Sequence, residues 1–280
     1  MRKGNFQKTA TYIFLIICSF LVIFPIYWVV ITSLKTKGDI LKGPNYFPFI
    51  DFKPTISSWK GIITEQNALK YLLNSLVSAS FSATVALILG SMSAYGLLRF
   101  KFKIGFLKNQ DLNIFIISQR IMPPVITALA LYLMFRWVNL LDNVIGLVLI
   151  YSSFNLPIAF WLMRNFISQI PLEIEEAAMI DGASHLQIFS RIVMPLAIPG
   201  IVTTFFMCWL FAWNEFLYAL FLTLERAQTL PILLAAQHSM DELKWYDIST
   251  MSLWSIIPAL IITVSLQKYF VRGFMGGFGK

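Results

Sequence analysis

Long apolar stretches separated by short polar ones set the outline of this chain. A bilayer core of about 30 Å takes about 20 apolar residues in helical form. Six stretches reach that length: residues 9–34, 71–98, 112–137, 144–166, 199–222 and 249–271. The pattern predicts an all-α membrane protein with six transmembrane helices. Arg2, Lys3 and Lys8 precede the first stretch, as basic residues precede the apolar region of a secretory leader. This stretch is too long for such a region and carries no small-residue cleavage site, so it reads as a retained span. Pro25, Pro123, Pro124, Pro157 and Pro258 fall inside spans. Membrane helices accommodate proline where neighbouring helices or waters satisfy the freed carbonyls, and the kinks suit a bundle that lines a path.

Composition turns this outline into a statement about solvent. Of the 280 residues, 58% are hydrophobic and 13% charged, whereas a soluble domain carries roughly 25% charged residues. With a mean hydropathy of +0.71, most of the surface faces lipid. The net charge of +8 raises the question of nucleic acid, but no basic run is interleaved with aromatics. Basic residues flanking spans on the cytoplasmic side explain the charge.

The lysine and arginine count also sets the orientation, N-in and C-in. Arg2, Lys3, Lys8, Arg99, Lys101, Lys103, Lys108, Arg164, Arg191, Lys268, Arg272 and Lys280 then lie inside, against Arg136, Arg226 and Lys244 in the two later external loops. The first external loop, residues 35–70, is lysine-rich, but a long loop translocates with less regard to charge. With Gly43-Pro44, Phe47-Pro48 and Trp59, it reads as an extracytoplasmic cap. The organisation expected is residues 1–70 as first span and loop, 71–271 as the transmembrane domain with an elbow at 171–199, and 272–280 as a cytoplasmic tail.

The connection between the fourth and fifth spans carries the densest helix signals. Pro171 suits a helix start, and Glu173, Glu175 and Glu176 complement the positive end of the helix dipole. Gly182 after Asp181 suits a left-handed cap. A second short helix starts near Ser184 and closes at Pro195. Helix signals alone give a structured cytoplasmic connector.

Its spacing says more. Glu176-Ala177-Ala178, three residues, Gly182, nine residues, then Ile192 with Met194-Pro195 resembles the EAA loop of bacterial ABC importer permeases. That resemblance implies a type I importer bundle, with Glu176, Ala177, Ala178, Asp181, Gly182 and Pro195 in a coupling helix that docks on a separate ATPase. Asp181 before Gly182 is similar to the carbohydrate-uptake group, specifically to its smaller maltose-type permeases. So are Gln119-Arg120-Ile121-Met122-Pro123-Pro124, Ala212-Trp213-Asn214-Glu215-Phe216, Thr229-Leu230-Pro231 and Gln267-Lys268-Tyr269-Phe270-Val271-Arg272-Gly273. The resemblance covers nearly the whole chain and is strongest from Tyr71 onward.

Polar residues at membrane depth mark a candidate substrate path. Tyr151, Ser152, Ser153 and Asn155 form a patch in the fourth span, with either sugar recognition or interhelical hydrogen bonding as their role. Asn214 and Glu215 end the fifth span beside Trp209 and Trp213, either in contact with substrate or at headgroup level. Arg120 is expected to snorkel to the interface, the other reading being a gate residue. His185 and His238 have no second ligand at metal spacing, and Cys18 and Cys208 lie in apolar runs. No metal, disulfide or catalytic group is read from these residues. Asp241, Glu242 and Asp247 read as a solvated loop.

The resemblance implies a permease subunit in a bacterial inner membrane, forming half of the path for a sugar or oligosaccharide. Its partners would be a second homologous permease, two ATP-binding subunits and an extracytoplasmic solute-binding protein. The chain has no phosphate-binding Gly-rich Lys-Ser/Thr loop, so ATP and Mg belong on the partners and this chain binds no cofactor. The rival cargoes are a polyol phosphate or a polyamine. An ion-driven secondary transporter would need paired intramembrane carboxylates and inverted repeats, which the sequence lacks.

Overall fold

The computed structural model describes the backbone of residues 2–104, 107–237 and 244–276, and the side chains of 8–103, 108–237 and 244–267. His238, Asp241 and Glu242 lie outside the described residues, as do the side chains of the tail motif from Lys268 onward. The helices in order are α1 (Arg2–Ser33), α2 (Lys37–Leu41), α3 (Ser57–Thr64), α4 (Ala68–Arg99), α5 (Asn109–Ser118), α6 (Pro124–Trp137) and α7 (Val144–Ile167). There follow α8 (Leu172–Ile180), α9 (His185–Ile188), α10 (Met194–Leu196), α11 (Ile198–Trp213), α12 (Leu217–Leu222), α13 (Leu230–Ala236) and α14 (Trp245–Gly276). A ribbon of two short antiparallel strands, Lys103–Ile104 and Leu107–Lys108, lies between α4 and α5.

Among the described residues four helices are long and apolar enough to cross a membrane, and the number rises to six if each of two bent pairs is one span. α1, α4, α7 and α14 match four of the expected spans. The third expected span is not straight: α5 with the 3-10 turn Gln119–Ile121 meets α6 at 91°. Pro123 and Pro124 follow one another there, so two consecutive amide donors are missing and the ladder cannot continue. Pro157, by contrast, sits inside an unbroken α7 and Pro25 inside an unbroken α1. The fifth expected span is shorter than its apolar stretch, because α11 ends at Trp213 and a separate α12 follows.

The chain divides into two compact units, residues 1–69 with 233–258, and residues 70–232 with 259–280. Within the first, Ser58 Oγ donates to Asp247 Oδ1 (2.6 Å) and lies 3.0 Å from Thr250 Oγ1. This ties α3 to the start of α14, so Asp247 is buried there rather than solvated. α1 presents Tyr12 to Ile17 and Phe20 to Ile23 outward, as lipid solvent requires.

In the second unit, α4 packs on α7 through a face of small residues: Ser82, Ala83, Ala86, Ser91 and Ala94 are all buried. A Cβ on Gly90 would stand 2.7 Å from Ala159 Cβ and 2.8 Å from the Phe160 amide. The two backbones approach as closely as small residues permit, the usual packing device where no hydrophobic effect drives helices together.

Asp142, between α6 and α7, has φ +52° and holds the loop that follows α12. Its carboxylate accepts from the amides of Leu224, Glu225, Arg226 and Ala227 at 2.9 to 3.2 Å. Burial pushes this carboxyl up, but the backbone donors outweigh it and hold the group below its ordinary value. A depressed folded pKa stabilises the protein above the ordinary carboxylate value of about 3.9 and loses that contribution as pH falls through the lower folded value. Amide protection at residues 224–227, read by hydrogen exchange, should therefore hold at neutral pH and fall in acid. In Asp142→Ala it should be low at both; equal protection in the two proteins at neutral pH would contradict the assignment.

Candidate functional site

The elbow is built by two caps and one ion pair. Gly182 takes φ +85°, a conformation open to glycine and costly for other residues. Its amide donates to Met179 O (3.0 Å), and the Ala183 amide donates to Ala178 O (3.0 Å). This pair of bonds closes the C-terminus of α8. Two residues later Ser184 caps α9: its hydroxyl accepts from the Gln187 amide, while the Gln187 side chain accepts from the Ser184 amide. The chain then runs through a wide π turn, Phe189–Val193, before α10. Pro195 explains the turn, since it lacks an N–H and its ring would collide with the carbonyl one turn back. α11 leaves at 81° to the α9–α10 segment.

Glu175 does something its sequence position does not suggest. Rather than facing solvent at the dipole end of α8, it is 1% exposed. Arg99, the last residue of α4, donates from Nε (2.8 Å) and places Nη2 2.7 Å from the same Oε1. Tyr95 OH donates to Oε2 at 3.1 Å, and Arg99 Nη2 also donates to Ile170 O at 3.1 Å. Beside this network Ile188 and Val193 join Tyr95, Phe160, Met163 and Ile167 in one buried cluster. The ring of His185 meets Phe100 edge-on at 4.9 Å. The elbow is therefore fastened to α4 and α7 by charge at one end and by apolar packing at the other.

The opposite side of the elbow is bare. Ile180 is 87% exposed and Leu186 70%, with Met179, Leu172 and Ile174 also exposed. Glu176, Ala177, Asp181, Gly182 and Pro195 share this exposure, while Ala178 is half-buried toward the chain's own cluster. Five of the six expected docking residues thus lie on open surface.

The expected substrate-path residues separate into closed and open groups. Asn155 is buried and its Nδ2 donates to Cys208 O (3.1 Å). Ser152 Oγ donates to Val148 O (2.6 Å) and is 3.4 Å from Ser82 O. Trp209 Nε1 donates to Ser80 Oγ (3.2 Å), and its ring stacks on Trp213 at 4.9 Å. These side chains and that of Tyr151 are largely enclosed within the chain, where Tyr151 OH and Asn155 Oδ1 have no hydrogen-bond partner among the described residues. Ser153 and Asn214 are exposed, and half-buried Glu215 accepts from the Tyr218 (2.9 Å) and Ala219 (3.2 Å) amides at the start of α12.

Arg120 departs from the snorkelling expectation. Its Nη1 donates to Phe154 O (3.0 Å) in the middle of α7, and its guanidinium lies over the Phe154 ring at 4.3 Å and the Phe211 ring at 4.6 Å. The break at Pro123 ends the helix early enough for the side chain to turn inward. Two aromatic faces and one carbonyl hold a cation at mid-span depth.

A family model for the inner membrane component of binding-protein-dependent transport systems matches residues 86–275, which include the elbow, Arg120 and Glu215. The chain belongs to that family. It is a multi-pass inner-membrane permease of the ABC import type. The diacetylchitobiose uptake system permease DasC of Streptomyces coelicolor is 29% identical over 284 residues, covering 100% of both chains. The trehalose/maltose transport system permease MalG of Thermococcus litoralis is 27% identical over 281 residues, covering 99% of this chain and 98% of its own. A chain of a bacterial ABC transporter involved in alginate import shares the fold, with a TM-score of 0.75 at 22% identity, covering 96% of this permease and 98% of that chain. Among the described residues no group of three His, Cys, Asp or Glu is placed to hold a metal.

Proposed function

We propose that this permease forms half of the membrane path of a sugar or oligosaccharide importer and docks on an ATP-hydrolysing subunit through the elbow at residues 171–199. The observation that carries the docking half is the bare apolar tip, Ile180 and Leu186, on a helix pair that is otherwise capped and fastened. A contiguous apolar surface outside the bilayer marks an interaction site. The domain reading goes with it: residues 1–70 as first span and extracytoplasmic loop, 71–271 as the coupled transmembrane domain and 272–280 as a cytoplasmic tail.

The assembly proposed has a second homologous permease, two ATP-binding subunits that carry ATP and Mg, and an extracytoplasmic solute-binding protein. Nucleotide closure of the ATPase pair moves the elbow as a rigid body, and the bundle turns its cavity outward; hydrolysis returns it. Within the membrane, exposed Ser153 and Asn214 and half-buried Arg120 are polar or charged groups for which lipid is an unfavourable neighbour. We assign them to the path or its facing permease, and assign Tyr151, Ser152, Asn155, Trp209 and Trp213 to the wall behind.

The named cargoes of the relatives support a carbohydrate. A binding screen on the cognate solute-binding protein tests this: a sugar or oligosaccharide is expected to bind tightly. Tight binding of an amino acid, polyamine or metal, with no sugar bound, would end the carbohydrate assignment and leave the docking assignment standing.

A further inference from the structure

A cavity of about 460 Å³ in the first unit has no part in the transport reading. It is lined by Trp28, Thr32 and Lys35 at the end of α1, by Gly43 and Pro44, and by Trp245, Ile248, Ser249 and Ser252 at the start of α14. Its floor is buried and its rim is exposed: Lys35, Thr32 and Ser249 lie inside, Pro44 and Trp245 at the edge. Lys35 is 3% exposed, and its ammonium rests over the Trp28 ring at 4.5 Å and the Phe52 ring at 5.2 Å.

No carboxylate closes on that ammonium among the described residues. Asp39 is engaged by Thr36, whose hydroxyl donates to it at 2.6 Å, and by Lys42 at 4.0 Å. Asp51 accepts from the amides of Tyr46 and Phe47 at 2.8 and 2.9 Å. Burial holds the Lys35 pKa below the ordinary lysine value, with the more distant Asp39 and Asp51 opposing. Thr32 Oγ1, also buried, has no hydrogen-bond partner. A buried cation and an orphaned hydroxyl thus share one apolar, tryptophan-walled cavity. The two rings offset part of the cost of burying that ammonium, but they leave it without a hydrogen-bond acceptor, which an anion entering the cavity supplies.

Depth selects the source of the anion. α1 crosses as Lys8–Ser33, so Lys35 stands just past the end of a span, at the level of lipid headgroups. Tryptophans favour that level too. We propose that this cavity binds the phosphodiester of an anionic membrane phospholipid, with Lys35 and Thr32 on the phosphate and Trp28 and Trp245 beside the glycerol.

The test uses the assembled transporter, stripped of loosely bound lipid and titrated with phosphatidylglycerol or zwitterionic phosphatidylethanolamine under native mass spectrometry. Wild type should retain phosphatidylglycerol in preference, and K35R should keep it. Lys35→Met should weaken the retained adduct by about tenfold or more, the scale of one charge-assisted hydrogen bond. Equal retention by Lys35→Met would overturn the site, and displacement of the lipid by millimolar inorganic phosphate would overturn the lipid as its source. Should Lys35→Met fail to assemble, a phosphatidylglycerol with a photoreactive group near the glycerol decides the matter on wild type. Labelling within residues 28–44 or 245–252 supports the site, and labelling confined elsewhere refutes it.

Discussion

Replacing Glu175 by alanine is expected to abolish solute-stimulated ATP hydrolysis while the chain still inserts in the membrane. The change removes the carboxylate that holds the largely buried Arg99 guanidinium at 2.7 Å and leaves that cation with carbonyl acceptors alone. Breaking a buried pair from one side costs about 3–5 kcal/mol, enough to release α8 from α4. The same physics supplies a control. Replacing both partners with apolar residues of similar size removes the stranded charge, and such exchanges are frequently neutral. An Arg99→Met, Glu175→Met double variant should therefore recover a substantial part of the stimulated rate. A single variant that hydrolyses ATP like wild type, or a double variant no better than the single one, would show that this pair does not fasten a coupling element.

The second large effect is expected at Gly182. Proline there cannot reach φ +85°, because its ring fixes φ near −65°, and it also removes the N–H that donates to Met179 O. The cap opens and the tip carrying Ile180 and Leu186 loses its direction. Gly182→Pro should bring stimulated ATPase activity to the unstimulated level without loss of membrane insertion. Gly182→Ala provides the graded case. Nothing lies within 4 Å of the Cβ it would add, so its cost is conformational alone, about 1–2 kcal/mol, and a partial loss is expected. An unaffected Gly182→Pro rate would separate the elbow from coupling.

Local information was legible in the sequence and distant pairing was not. The end of α8 at Asp181-Gly182 and the start of α9 near Ser184 are written in adjacent residues and form where the sequence puts them, while the part of Gln187 in the second cap emerges only in the structure. Glu175 reads locally as a dipole partner, yet its true partner Arg99 lies 76 positions away, and no periodicity links the two. Arg120 poses the same problem over 34 positions. Proline shows why residue type alone misleads. Pro157 is buried in α7 and its helix continues, whereas Pro123 stands next to a second proline and its helix breaks. The polar patch at Tyr151 to Asn155 admitted two roles because hydrogen bonding to a neighbouring helix and to a sugar use the same groups. One Asn155 donor meets the carbonyl of Cys208 on another helix, a partner 53 positions away that no local pattern reveals.

The break at Pro123 bears on how the protein is made. α5 has 10 residues and α6 has 14, about 15 and 21 Å of helix, each short of a hydrocarbon layer of about 30 Å. Neither half is a self-sufficient stop for the insertion machinery. α6 packs instead on α12, where Thr127 Oγ1 and Tyr218 OH stand 2.8 Å apart, and α12 is translated about ninety residues later. The α5–α6 segment thus reaches its final packing only after most of the chain has been synthesised, which makes that step of insertion a late one.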